Sequence, residues 1–221
     1  MEKIVNIDEL KPLGYNLMRI SRLVKKGKLG NLGYGFYTNN PNLFRLNKDE
    51  TIIKINELLD SFPISPKRVI YSSSSLNPYI NQLISSTTYI VEVEKEYVQM
   101  VFTLLKEEYK GNVLLKPNRF EKNNYWNPNI IYVKELFKRS PVNEDGTITI
   151  EKLVVDLLTD EDIYSLYSGV DIDSAIDILL KNYLINYKTL ISYASRKNRK
   201  QQLLERIRQY IPQEILKEIE R

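Results

Sequence analysis

Four of the chain's eight glycines fall between residues 27 and 35, in the run GKLGNLGYGFYT. Glycine reaches positive φ without steric cost, so this run ends any preceding helix and favours a tight reversal between short extended segments. Gly30, Asn31, Gly33 and Gly35 all tolerate positive φ, and the aromatic FYT that follows completes the pattern of a β-hairpin. The segment just upstream, Tyr15 to Lys26, has a helical period. At about 100° per residue, Leu13, Leu17, Ile20 and Val24 share one face with Leu23 at its edge. Tyr15, Met18, Arg19, Ser21, Arg22, Lys25 and Lys26 occupy the other. Gly27 supplies a C-cap, and the lysines beside it suit the helix dipole. Further upstream, NIDELKPLG reads as a short helix capped by Asn6 and broken at Gly14.

Short helix, turn, amphipathic helix and hairpin is the layout of a winged helix-turn-helix, predicted here over residues 1–46. In that geometry the exposed face of the second helix enters the major groove and the hairpin lies against neighbouring phosphates. Arg19, Ser21, Arg22 and Lys25 are then the residues that face base edges, while Lys26, Lys28, Asn31 and Tyr34 contact phosphate and sugar. Charge placement agrees. The formal net charge of +4 resides entirely in residues 1–40, and the remainder is neutral, with 25 basic and 25 acidic residues. Such concentration points to a polyanion-facing module. A solvated basic helix followed by an ordinary turn has the same pattern.

Composition narrows the chemistry further. With 43% hydrophobic and 27% charged residues the chain is an ordinary globular one, long enough for a large domain. No apolar run approaches the roughly 18 to 20 residues of a membrane span, and MEKIVNIDEL lacks the apolar centre of a secretory signal, so the expected address is the cytoplasm. The sequence has no cysteine, which removes disulfides and thiolate chemistry, and no histidine, which removes the usual general base near neutral pH and histidine-ligated metals. A non-enzyme without cofactor or metal is expected.

Beyond a loop at NPNLFRLNKDE, residues 47–221 read as a second, α/β domain ending in helices. Thr51 to Phe62 carries a helical stripe of Ile52, Ile55, Leu58 and Leu59, with Asp49 or Thr51 near its start and FPISP as its stop. KRVIYSS, TTYIVEVEK, NVLLKP and NIIYVKEL read as strands, Leu76 to Ile84 as a short helix and Glu96 to Tyr109 as a longer one, giving a small mixed sheet with helices against it. NRFEKNNYWNPN reads as a polar connection. From Thr149 the pattern is helical: Leu153, Val154, Leu157 and Leu158 point inward, then Asp171 to Tyr183, then NYKTLISYASRKNRKQQLLERIRQYI, then PQEILKEIER. The fold class expected is α+β.

Three further features carry possible chemistry. Asp171 and Asp173, after Ser168 and Gly169, resemble the Gly-Ser and Asp-x-Asp metal site of nucleotidyltransferases, which would make the chain a magnesium-dependent enzyme. Because the segment opens a helix, capping and dipole roles explain both carboxylates equally well. Glu92, Glu94 and Lys95 invite a nuclease reading, against which stands simple alternation along a half-exposed strand. Arg196, Lys197, Arg199 and Lys200, with Arg206 and Arg208 beyond, form a second basic patch that could touch flanking DNA.

Two stretches also resemble a known group. ISRLVKKGKLGNLGYGFYT is similar to the winged N-terminal domain of AbiEi-like antitoxins and related transcriptional regulators. SPVNEDGTITIEKLVVDLLTD and YLINYKTLISYASRKNRK resemble later parts of the same group, with Pro141, Glu151, Lys152, Leu153 and Asp156 matching one signature and Tyr193, Ala194 and Arg196 another. The resemblance implies a regulator that binds double-stranded DNA at its own promoter; because a single head binds weakly, a homodimer on an inverted repeat is expected. It also implies an antitoxin, of the type IV abortive-infection kind, that counteracts a nucleotidyltransferase toxin without a stable complex. Members of that group often begin with an additional helix. Here either the helix near Thr51 completes the support of the head or the head is minimal.

Overall fold

Helices and strands follow the predicted periodicities in an α+β fold whose contacts divide the chain into two units. The computed structural model describes residues 4–39, 41–80, 87–125, 127–160, 167 and 169–221. In chain order the elements are β1 (Ile4–Asn6), α1 (Ile7–Leu10), α2 (Leu17–Lys25), β2 (Leu29–Gly33), β3 (Phe36–Asn39), α3 (Glu50–Asp60), β4 (Arg68–Ser72), β5 (Thr88–Val93), α4 (Val98–Glu108), β6 (Val113–Leu115), α5 (Arg119–Tyr125), β7 (Ile130–Glu135), α6 (Ile150–Thr159), α7 (Gly169–Asn182), α8 (Tyr187–Arg196), α9 (Lys200–Ile207) and α10 (Gln213–Glu220). Among the described residues no helix is long and apolar enough to cross a membrane.

The first unit comprises Met1–Arg45, Ile150–Tyr164 and Ile176–Arg221. Its three-stranded antiparallel sheet has the order β1-β3-β2. Asn6 caps α1 by accepting from the Glu9 amide at 2.9 Å, and Gly14 turns the chain with φ of 79°. Asn16 then caps α2, its Oδ1 accepting from the Arg19 amide at 2.8 Å. Gly27, at φ of 66°, ends that helix, and the Gly27 and Lys28 amides close back onto Val24 and Leu23 carbonyls. Leu10, Ile20, Leu29 and Tyr37 form the small core of this head, with Leu23 and Val24 packed at its edge. The expected inward positions of Leu13 and Leu17 are not realised: they are 70% and 68% exposed. A nine-residue helix on one short sheet covers only the Ile20, Leu23 and Val24 stripe, and Leu13 lies outside the helix on the turn before Gly14.

The helical end of the chain groups with this head, whereas the sequence reading placed it with the central sheet. Helix α6 packs on α8, and α8 sits against β2. The support for the head is therefore within the first unit, and α3, near Thr51, belongs to the other.

The second unit, Leu46–Thr149 with Ser165–Ala175, holds a four-stranded mixed sheet of order β4-β5-β7-β6, in which β4 is antiparallel to β5 and both β5 and β6 run parallel to β7. Ile52, Ile55 and Leu59 of α3 and Val98, Val101 and Leu105 of α4 share one core with Val91, Val93, Ile131 and Val133 of the sheet. Burial of these apolar faces, at roughly 25 cal/mol per Å², is what holds the layers together. Strand β5 is buried along its whole length, so the expected half-exposed alternation of TTYIVEVEK does not hold. Its neighbours β4 and β7 flank it on both sides, leaving no solvent edge. A helix stands where a polar connection was expected: α5 is opened by a reciprocal capping box in which the Asn118 amide donates to Glu121 Oε2 at 2.9 Å and the Glu121 amide to Asn118 Oδ1 at 3.0 Å. The Leu76 to Ile84 helix is in part a 3-10 turn over Ser73–Tyr79, and residues 81–84 lie outside the described ones.

Candidate nucleic-acid interface

Helix α2 contains no acidic residue, and its charged positions are all cationic. Ile20, Leu23 and Val24 fix one face against the sheet, so the opposite face must point away from the core. Met18, Arg19, Ser21, Arg22, Lys25 and Lys26 are all exposed there, with Lys28 just beyond. The Arg19 guanidinium lies 4.4 Å from the centroid of the Tyr15 ring and donates to the Gly14 carbonyl at 3.4 Å, which holds the side chain along the helix start. Arg22 Nη2 rests 3.4 Å from Met18 Sδ. Ser21, Lys25, Lys26 and Lys28 make no side-chain hydrogen bond or ion pair among the described residues. Lys25 and Arg22 occupy the last turn, where the helix dipole favours them.

The hairpin is built differently from the expectation that all its glycines form an exposed wing. The Tyr34-Gly35 connection, with φ of 53° and 83° between the paired Gly33 and Phe36, is a type I′ turn and forms the tip. Tyr34 is half-buried, and that burial pushes its phenol pKa up. Gly30 and Gly33 face inward. A Cβ at Gly33 would lie 2.6 Å from the Lys188 backbone nitrogen, and one at Gly30 would lie 2.7 Å from Leu184 Cδ1. These two glycines are close-approach positions that let β2 meet the start of α8. Asn31 is only in part available for phosphate: its Oδ1 accepts from the Gly33 amide at 2.9 Å across a bulge between residues 31 and 33.

The second basic patch is divided in the same way. Arg196, Arg199 and Lys200 are exposed, with the Arg196 guanidinium 5.8 Å from the Tyr193 ring centroid. Lys197 turns inward, contrary to its expected place in the patch: its Nζ donates to Asp156 Oδ1 at 2.6 Å and Thr159 Oγ1 at 3.2 Å. It joins a buried network missed at the sequence level. Asp156 also accepts from Lys152 Nζ and, at 3.0 Å, from the Tyr193 hydroxyl. Glu151 accepts the Asn186 amide at 2.9 Å. Four residues of the quoted signatures, Glu151, Lys152, Asp156 and Tyr193, thus tie α6 to α8 and the segment just before it. The readable signal was a lysine and an aspartate four apart inside an otherwise apolar helix.

Asp171 and Asp173 do not converge on one site. Asp171 and Asp173 both lie within α7, two residues apart, so they point to opposite sides; Asp171 is buried and Asp173 exposed. Ser168 of that motif lies outside the described residues. Glu92 is buried beside Lys134, 3.5 Å away, and accepts from the Tyr71 hydroxyl at 3.3 Å; Glu94 accepts the Lys67 amide at 3.2 Å. A cleft of about 530 Å³ in the second unit is lined by Asn56, Asp60 and Arg68 among others. Arg68 spends its donors on Asn56 Oδ1 at 2.8 Å, Ser65 Oγ at 2.6 Å and Asp60 at 2.7 Å, and the bond from Arg68 holds the Asp60 carboxyl below its ordinary pKa.

A model of the family described as "Family of unknown function (DUF6577)" matches residues 16–213. No curated protein matches the chain.

Proposed function

Taking as premise that the chain belongs to the DUF6577 family of unknown function, we propose that it is a DNA-binding transcriptional regulator. The carrying observation is the outward face of α2, where Arg19, Arg22, Lys25 and Lys26 stand exposed with no acidic residue on the helix. In this reading β1, α1, α2, β2 and β3 act as a winged helix-turn-helix: α2 enters the major groove, Tyr34-Gly35 is the wing tip, and Lys28 touches phosphate. Ser21 lines the groove wall, and Asn31 contributes through its amide nitrogen. Arg196, Arg199 and Lys200 are auxiliary cations for flanking backbone.

Acting in the cytoplasm, the protein binds an inverted repeat upstream of its own gene as a homodimer, because a single head of this size gives weak affinity. The resemblance to AbiEi-like antitoxins supports the further reading that it belongs to a type IV toxin-antitoxin pair with a nucleotidyltransferase toxin. An adjacent nucleotidyltransferase reading frame would support that pairing, and a neighbourhood without one would leave plain regulation.

The experiment is a gel shift of the full chain on its own upstream region, with Arg22→Ala and Lys25→Ala alongside. Each variant should lose roughly fivefold or more in affinity. Equal binding by wild type and both variants removes α2 as the reading helix.

A further inference from the structure

Two large apolar side chains at the start of α2 border its cationic face without apolar cover: Leu17 is 68% exposed and Met18 65% exposed. Both lie in the first turn of α2, which Asn16 caps. Ile20, Leu23 and Val24 fill the core-facing stripe of α2, and the small sheet leaves both of these side chains uncovered. Met18 occupies the same side as Arg22 and Lys25, and Arg22 Nη2 touches its sulfur at 3.4 Å. An apolar pair bordering a field of cations calls for a polyanion that also carries apolar points. Duplex DNA has them: the thymine C5-methyl is the one apolar group on the base edges of the major groove. The first turn of a recognition helix is also the part that reaches base edges.

Resting on the DNA-binding reading above, we propose that Leu17 and Met18 are specificity-determining residues that read thymine methyl groups, so that the target site carries thymines at the positions met by the start of α2. The Met18–Arg22 contact adds a spacing rule. The two residues are one helical turn apart, about 6 Å along the axis, which is about two base-pair steps. A guanine read by Arg22 through O6 and N7 should therefore lie within about two base pairs of a thymine contacted by Met18. Partners of another class, such as an acidic amphipathic peptide, would use the same side chains without any dependence on thymine.

The test enriches duplexes from a random pool with the full chain and resynthesises the winner with deoxyuridine at every thymidine, which deletes the methyl groups and leaves base pairing intact. Affinities of wild type and of a Leu17→Ala, Met18→Ala double variant are measured on both duplexes by fluorescence anisotropy. Both side chains are exposed, so the variant keeps its fold. Wild type should bind the uridine duplex about fourfold more weakly per methyl contacted, and the variant should bind the two duplexes equally. Equal binding of both duplexes by wild type overturns the proposal. So does an equal loss in wild type and variant, which would place the methyl effect in DNA shape. Enrichment of no duplex at all removes the DNA-binding reading together with it.

Discussion

Asp156→Ala takes away a carboxylate on which Lys152, Tyr193 and Lys197 converge. The aspartate is fully buried, and Lys152 is 1% exposed, so both ammonium groups face the loss inside a medium that solvates charge poorly. Breaking a buried pair from one side typically costs about 3–5 kcal/mol. Against a total stability of about 5–15 kcal/mol, that is about a fifth or more of what holds the fold. For a chain of this length it corresponds to a fall in Tm of about 6–20 °C. Asp156→Asn keeps the volume and an acceptor but loses the charge, so it should fall between alanine and wild type. Lys25→Ala, on the exposed side of α2, should stay within about 0.5 kcal/mol of wild type and serves as the control. Urea unfolding followed by circular dichroism reads all of them. A cost below about 1 kcal/mol for Asp156→Ala would refute the view that this network ties α6 to α8.

Other outcomes follow from the same geometry. Gly14 and Gly33 both adopt positive φ, but a Cβ at Gly14 meets nothing within 4 Å while one at Gly33 meets Lys188 backbone at 2.6 Å. Gly14→Ala should cost about 1 kcal/mol of strain, and Gly33→Ala at least about twice that, measured by thermal melting; equal costs would mean β2 is free of α8. Burial pushes the Tyr187 phenol from 10.0 to about 12, where its hydroxyl donates to the Tyr210 carbonyl at 2.9 Å. Folding therefore favours the protonated form. This contribution is intact below pH 10 and is lost as pH rises to about 12, close to 3 kcal/mol in total. Tyr187→Phe should flatten that alkaline loss, and an unchanged profile of stability against pH contradicts it. The Asp60 carboxyl, held low by Arg68, acts in the opposite sense: its stabilisation is present above the ordinary carboxylate pKa and fades on acidification. Asp60→Asn should lessen the loss of stability in urea melts between about pH 5 and about pH 3, the ordinary carboxylate range.

Local chemistry was legible in the sequence wherever a residue acts on its own backbone. Asn6 and Asp49 cap the helices they were assigned to, and Gly27 ends α2. The strands of the central sheet and the stripe of α3 also stand where their periods placed them. Helix α5 was missed because its apolar content is low, although the Asn118 and Glu121 capping box was in plain view. What depends on distant partners was not readable. Gly30 and Gly33 look like turn glycines until Leu184 is seated on the one and Lys188 on the other, and Lys197 looks like part of a basic patch until Asp156 is found beneath it. Leu13 and Leu17 have the right period for burial, but the sheet is too small to cover them.

The most direct measurement of the central claim is the salt dependence of binding to a fixed duplex. If Lys26, Lys28, Arg196, Arg199 and Lys200 neutralise phosphate while Arg19, Arg22 and Lys25 read bases, log K should fall against log salt with a slope of about −4 to −5 per head, and about two units less steeply in a Lys26→Ala, Lys28→Ala double variant. The same slope in the double variant, or binding that ignores salt, would contradict the account.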